Sequence, residues 1–254
     1  MKAGIGTGKN PTAWYVVPSD RYLAKWWNAL HIPYTLWHLS YVVMGAALGT
    51  VLRWDVLGWS LLAFFLGLGV AGHAFDLLRR DPLALKLPAI HLEVAGVVSL
   101  LLAAFIGLLN IYWGHVPGWL GWAIAAGILM ALGYNLEWPG LHGDLQFALF
   151  WGAFPFLVGF LAMGGGLDAA AVMGGVFCFL TAWAQRVLST RARYLRRKVA
   201  RASLTLDTLD EKAEGATAVD DQPIAWMLRP LETTLLLLTI AMPVLAIALL
   251  ASRR

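Results

Sequence analysis

The stretch Gly72-His73-Ala74-Phe75-Asp76-Leu77-Leu78-Arg79-Arg80-Asp81-Pro82 closes an apolar run that begins at Val56. About 20 apolar residues cross a bilayer core, and ionisable groups at the end of such a run are costly in lipid and functional by default. On a helix His73 and Asp76, three apart, project from one face, and Arg80 follows Asp76 at i+4, where the two can pair. The whole chain has the same texture. Its 254 residues are 59% hydrophobic and 13% charged, with a mean hydropathy of +0.68, whereas soluble domains are about 25% charged. This composition excludes a soluble enzyme and predicts an integral membrane protein.

Seven apolar segments approach spanning length, over residues 32–52, 56–75, 94–113, 118–136, 145–163, 169–185 and 234–251. They predict an all-α polytopic bundle of about seven transmembrane spans, with a hairpin at Gly164, Gly165 and Gly166 between the fifth and sixth. The organisation expected is an N-terminal cytoplasmic or interfacial segment (1–31), a six-helix transmembrane core (32–190), a basic amphipathic helix with an acidic linker (191–231), and a final transmembrane helix (232–254). Residues 2–10 are polar and lead into Trp- and Tyr-rich sequence, so no cleavable signal peptide is expected and the first apolar segment is a true span. Residues 14–28 set Tyr22, Trp26 and Trp27 beside Arg21 and Lys25, as an interfacial helix would.

The charges fix an orientation. Of the 19 Lys and Arg residues, only Arg53, Arg253 and Arg254 fall on one side if the spans alternate, leaving 16 on the side of the N-terminus. The positive-inside rule then places the N-terminus in the cytoplasm of a plasma or inner membrane. A basic rim against anionic lipid accounts for the net charge of +4 without a nucleic-acid partner. In this orientation His38, His73, Asp76, His91, Glu93, Asn135, Glu137, His142, Asp144, Gln146, Gln185 and Arg186 all fall near the cytoplasmic ends of spans, which predicts a cytoplasm-facing polar cavity. Residues 187–202 extend the sixth span as a basic amphipathic helix, and 207–221 form an acidic linker.

The arrangement resembles the UbiA superfamily of intramembrane prenyltransferases over residues 25–205. The features that carry the likeness are a second span ending in a carboxylate motif, a fourth ending in Tyr134-Asn135, a fifth running into Gly164, Gly165 and Gly166, and a sixth leading to a basic segment. On the family signature Asn-Asp-x-x-Asp-x-x-x-Asp, Gly72 stands at the Asn, His73 at the first Asp, Asp76 at the second and Arg80 at the third. The family's second motif, Asp-x-x-x-Asp, would fall within 184–193, where no carboxylate occurs.

The resemblance implies transfer of an isoprenoid chain from a prenyl diphosphate to a lipophilic acceptor, with Mg²⁺ on carboxylates bridging to the diphosphate. It points to Asp76 and His73 as catalytic groups, with Asp76 and Glu93 as metal ligands. Arg79, Arg80, Arg186, Arg191 and Arg193, with Tyr134 and Asn135, would bind the diphosphate, since guanidinium forks suit phosphate. Alternatively the scaffold carries out other chemistry, with His73 and Asp76 as an acid/base pair. A third alternative is a non-catalytic membrane subunit binding lipid, quinone or a haem- or chlorophyll-type pigment, with His38 as the ligand. The expected partner in each case is a membrane lipid or isoprenoid. Cys178 stands alone in the sixth span, which excludes a disulfide framework. No Walker loop, dinucleotide fingerprint or nucleophile elbow is present. The glycines at 45–49, 67–72 and 164–175 read as helix-packing sites.

Overall fold

The structure is a computed structural model that describes residues 13–203, 205–206, 217–218 and 223–253. Among the described residues it is all-helical apart from a two-rung antiparallel pair, Thr205–Leu206 with Thr217–Ala218. The helices are α1 (Tyr22–Ala29), α2 (Ile32–Leu48), α3 (Trp54–Arg79), α4 (Ala89–Tyr112), α5 (Gly121–Asn135), α6 (Asp144–Ala162), α7 (Ala169–Lys198) and α8 (Pro223–Ala251). Five of them, α3, α4, α6, α7 and α8, are long and apolar enough to cross a membrane. This is an integral membrane architecture. At 17 and 15 residues, α2 and α5 are shorter.

Several boundaries differ from those the sequence suggests, each for a local reason. The interfacial helix expected over 14–28 forms only as α1. Pro18 disfavours helix at Val17, and Asn28 holds Val17 by two hydrogen bonds, accepting from its N–H and donating to its carbonyl, each at 2.9 Å. Residues 13–20 thereby form a non-helical strap that includes a turn at Trp14 and Tyr15. In α7 the helix starts where the Asp168 carboxylate caps the Ala171 N–H at 3.0 Å and continues unbroken to Lys198. The boundary expected at 190 therefore lies inside it. Arg196, Arg197 and Lys198 end this helix, where cations complement its dipole. Helix α8 starts at Pro223, a residue suited to a first turn, and runs through Pro230 and Pro243, so the boundary expected at 231 also lies within a helix. The polar 2–10 stretch lies outside the described residues, as does the acidic 207–221 linker apart from 217–218.

Helix α2 packs between α6 and α8. It carries Tyr34, Thr35, His38, Ser40 and Tyr41, polar groups that interior helices of a membrane bundle can hold and lipid-facing ones cannot. Trp37 and Tyr41 are fully buried there with Met44, Phe156, Phe160 and Met163. The Trp37 indole N–H donates to the Tyr41 hydroxyl at 2.5 Å, and that hydroxyl shares a 2.8 Å hydrogen bond with Thr181 of α7. The α2–α6 contact depends on glycine. A methyl group at Gly45 would collide with the Phe156 carbonyl, and one at Gly159 with the Val42 carbonyl, the close approach typical of small residues between membrane helices. By contrast, Gly58 on α3 has nothing within 4 Å of the added atom.

Replacing Gly45 with Val is accordingly expected to destabilise the detergent-solubilised protein by about 1–3 kcal/mol through overpacking. Gly58→Ala is expected to leave it unchanged or slightly stabilised through helix propensity. Thermal melting of both variants checks the pair, and equal melting temperatures would contradict the packing described.

Candidate functional site

One end of the bundle encloses a polar cavity of about 320 Å³. Its wall comes from the start of α2, the ends of α3 and α5, the start of α6 and the end of α7, with Tyr15 of the strap beside the mouth. Two wider helical turns help to shape it: α3 is π-helical over Phe65–Gly72 and α6 over Leu149–Ala153, and such turns are frequent at functional sites. Two wall residues, His31 and Glu137, have left-handed backbones with φ of 44° and 57°. Such conformations persist only where the surroundings enforce them.

The α7 face presents Gln185, Arg186, Ser189, Arg193, Arg196 and Arg197 to the cavity. These positions recur at three- and four-residue spacing, so the helix stacks them on one side. The Arg186 Nε donates to Asp144 at 2.8 Å, and its guanidinium carbon lies 5.4 Å from the Phe147 ring centre. Arg196 pairs with Glu232 at 3.1 Å, joining α7 to α8. Arg193, half-buried, donates only to the Thr190 hydroxyl at 3.1 Å, and Arg197, exposed at the mouth, has no ion pair among the described residues.

On α2 and α3 three histidines line the same space. The ring centres of His31 and His73 are 4.9 Å apart, and His73 Nε2 lies 3.4 Å from the Thr35 hydroxyl, which itself donates to the Leu30 carbonyl at 2.6 Å. Burial, His73 and the guanidinium groups of Arg193 and Arg197 hold the His31 pKa well below the usual imidazole value. His38 has a local purpose. Pro155 has no N–H to give the Trp151 carbonyl four residues before it, and His38 Nδ1–H donates to that carbonyl at 2.8 Å. The bond fixes the tautomer and leaves the lone pair on Nε2. The Tyr134 hydroxyl and Gln185 Oε1, both buried in the wall, have no hydrogen-bond partner among the described residues.

The cavity joins many of the residues singled out in the sequence: His38, His73, Asp76, Arg80, Tyr134, Asn135 and Arg186 all line it. Asp76 makes no side-chain hydrogen bond or ion pair among the described residues, and the ionisable groups in electrostatic reach of it are Arg193, His142, Arg186 and Glu137. Arg80 does not pair with Asp76 at i+4. It turns to Glu137, at 3.1 Å. Asn135 donates to the Ala131 carbonyl at 2.7 Å and packs on Gly72, where an added Cβ would sit 3.3 Å from its amide. Arg79 is exposed and lies 3.8 Å from Glu137, outside the wall. Arg191 is also exposed and outside it, because five residues from Arg186 put it on another face of α7. Glu93 is exposed on α4, away from the cavity, and His91 bonds the Tyr22 hydroxyl at 3.0 Å. Asp81 caps its own loop, accepting from the N–H groups of Leu85 and Lys86 at 2.9 and 2.8 Å.

Arg196, Arg197, His31 and Tyr15 were not picked out by the sequence. The spacing 186, 189, 193, 196 and 197 on α7 and 31, 35, 38 on α2 carries the signal for the first three. Leu68 lines both the polar cavity and a second, apolar slot of about 150 Å³ between α3, α4, α5 and α6. Asn110 lies at the slot's far end, buried, its amide donating to the Ile106 carbonyl at 2.9 Å and its Oδ1 without a partner among the described residues.

No family model, curated protein or solved structure matches this chain.

The donor set tests whether Mg²⁺ suits this site. Among the described residues no three His, Cys, Asp or Glu side chains come together as a metal group. The wall carboxylates are Asp76 and Glu137, and Glu137 is already engaged by Arg79 and Arg80. A divalent cation would meet one unshared carboxylate amid guanidinium groups, whereas Mg²⁺ sites use one or two carboxylates together with phosphate and water. The residues present do not fit a carboxylate-bridged Mg²⁺ cluster.

His38→Ala should cost about 1–3 kcal/mol, the penalty of leaving the Trp151 carbonyl unsatisfied. In a Pro155→Ala background the restored backbone N–H can take that carbonyl, and the same change should cost less. A double-mutant cycle by thermal or denaturant unfolding measures the coupling. Equal costs in both backgrounds would contradict the capping role.

Proposed function

We propose that the protein is an intramembrane transferase of UbiA type, in which α2 and α5 complete seven spans and the polar cavity opens to the cytoplasm. Its substrate is a prenyl diphosphate, and its product carries the isoprenoid chain on a lipophilic acceptor. The observation that carries this reading is the junction at Leu68. There a cationic, hydrogen-bonding cavity meets an apolar slot, the shape required by an amphiphile with a charged head and a hydrocarbon tail. The slot follows α3 from Leu68 to Val56, about 18 Å of helix.

In the proposed reaction the C1–O bond of the allylic diphosphate breaks and its electron pair leaves with the diphosphate. Arg193 and Arg197 stabilise that developing charge in a low-dielectric setting, where fixed cations are most effective. The acceptor attacks the allylic carbon, and the proton it loses passes to the Asp76 carboxylate, which has no competing hydrogen bond among the described residues. His73, oriented by Thr35, lies beside this position in sequence and shares the cavity wall. The Tyr134 hydroxyl offers a donor to the departing anion.

A non-catalytic lipid-, quinone- or pigment-binding subunit is the alternative, and His38 Nε2 is the nitrogen that would ligate a haem- or chlorophyll-type metal. Purified protein incubated with farnesyl diphosphate and a membrane-lipid extract is expected to release diphosphate. Asp76→Asn should lower that rate at least 100-fold while leaving the melting temperature within a few degrees. A wild-type protein that releases none, or one purified with a Soret or red absorbance band, contradicts the transferase.

A further inference from the structure

The cavity's charges do not balance among themselves. Arg80 is matched by Glu137, Arg186 by Asp144 and Arg196 by Glu232. Arg193 and Arg197, one turn apart on α7, have no carboxylate within ion-pair distance among the described residues. Tyr15 lies within electrostatic reach of both. The Tyr134 hydroxyl, more than nine-tenths buried in the same wall, lacks a hydrogen-bond partner among the described residues. A half-buried guanidinium without a counter-ion is unfavourable, and a phenol without an acceptor adds a further unmet donor. An anion with several acceptor oxygens satisfies all of these donors at once, and guanidinium forks bind phosphate oxygens two at a time. The carboxylate inventory gives a metal bridge little to stand on.

We propose that the cavity binds a phosphate or diphosphate ester directly through Arg193 and Arg197, with no divalent cation bridging to Asp76. The inference builds on the headgroup site proposed above but not on the transfer reaction. In this chain the charge normally supplied by a carboxylate-bound metal is supplied by arginine. Asp76 faces the bound anion as a like charge and is free to act on protons.

The test is calorimetric titration of the full-length protein in detergent with inorganic pyrophosphate, in parallel with farnesyl diphosphate, in EDTA and in MgCl₂. Pyrophosphate is expected to bind in EDTA with an affinity within threefold of that in MgCl₂. Arg193→Gln should weaken it at least tenfold, and Asp76→Asn should leave it unchanged or tighten it. Arg197→Gln, at the exposed mouth, gives the same sign with little risk to folding. Farnesyl diphosphate should compete and bind at least tenfold more tightly, which assigns the site to a lipid headgroup; equal affinity would assign it to a free anion and overturn that source. Binding that appears only with Mg²⁺ and disappears in Asp76→Asn overturns the proposal, as does no binding under either condition. Tight binding without diphosphate release would retain the anion site and remove only the transfer chemistry.

Discussion

Charge buried at the end of a membrane bundle has to be paired, hydrated or matched by a ligand, and that constraint organises this protein. Three of its cavity arginines meet carboxylates, each from a different element: Arg80 of the α3 end with Glu137 after α5, Arg186 of α7 with Asp144 of α6, and Arg196 of α7 with Glu232 of α8. These pairs tie the helix ends together around the cavity. Arg193 and Arg197 remain over, and the space they face also holds Asp76, the histidines and the unpartnered Tyr134 hydroxyl. The pairs that form are structural links. Arg193 and Arg197, which form none among the described residues, are where we propose that an anion binds.

The apolar packing below holds this arrangement in register. Close contact of α2 with α6 through Gly45 and Gly159 brings His38 to the Trp151 carbonyl that Pro155 leaves without a donor. The same contact sets the polar face of α2 against the ends of α3 and α7. Farther from the polar end, the Trp37–Tyr41–Thr181 hydrogen bonds link α2 to α7 within the core. The slot beside Leu68 then places hydrocarbon-compatible space next to the charges, so that one amphiphile can reach both.

Much of the bundle was legible because a membrane span announces itself by length and hydropathy. Gathering of the polar helix ends was legible because intramembrane polar groups seek each other. The sequence was less informative where helices are decided by context. The shortness of α1 depends on the Asn28 clamp to Val17. Arg79, Arg191 and Glu93 looked suitable by residue type and lie outside the wall because helical phase, not proximity in sequence, selects what faces inward. The 186, 189, 193, 197 spacing carried that phase. Asn110 and the unmatched charge of Arg193 were not legible, since both depend on which distant side chains fail to arrive.

The most direct measurement is an electron cryo-microscopy map of the protein in lipid nanodiscs with farnesyl diphosphate. The account predicts diphosphate density between Arg193 and Arg197, with the chain passing Leu68 into the slot toward Asn110. Density for the ligand outside the polar cavity, or a diphosphate held at Asp76 through a metal ion with both arginines turned away, would contradict it.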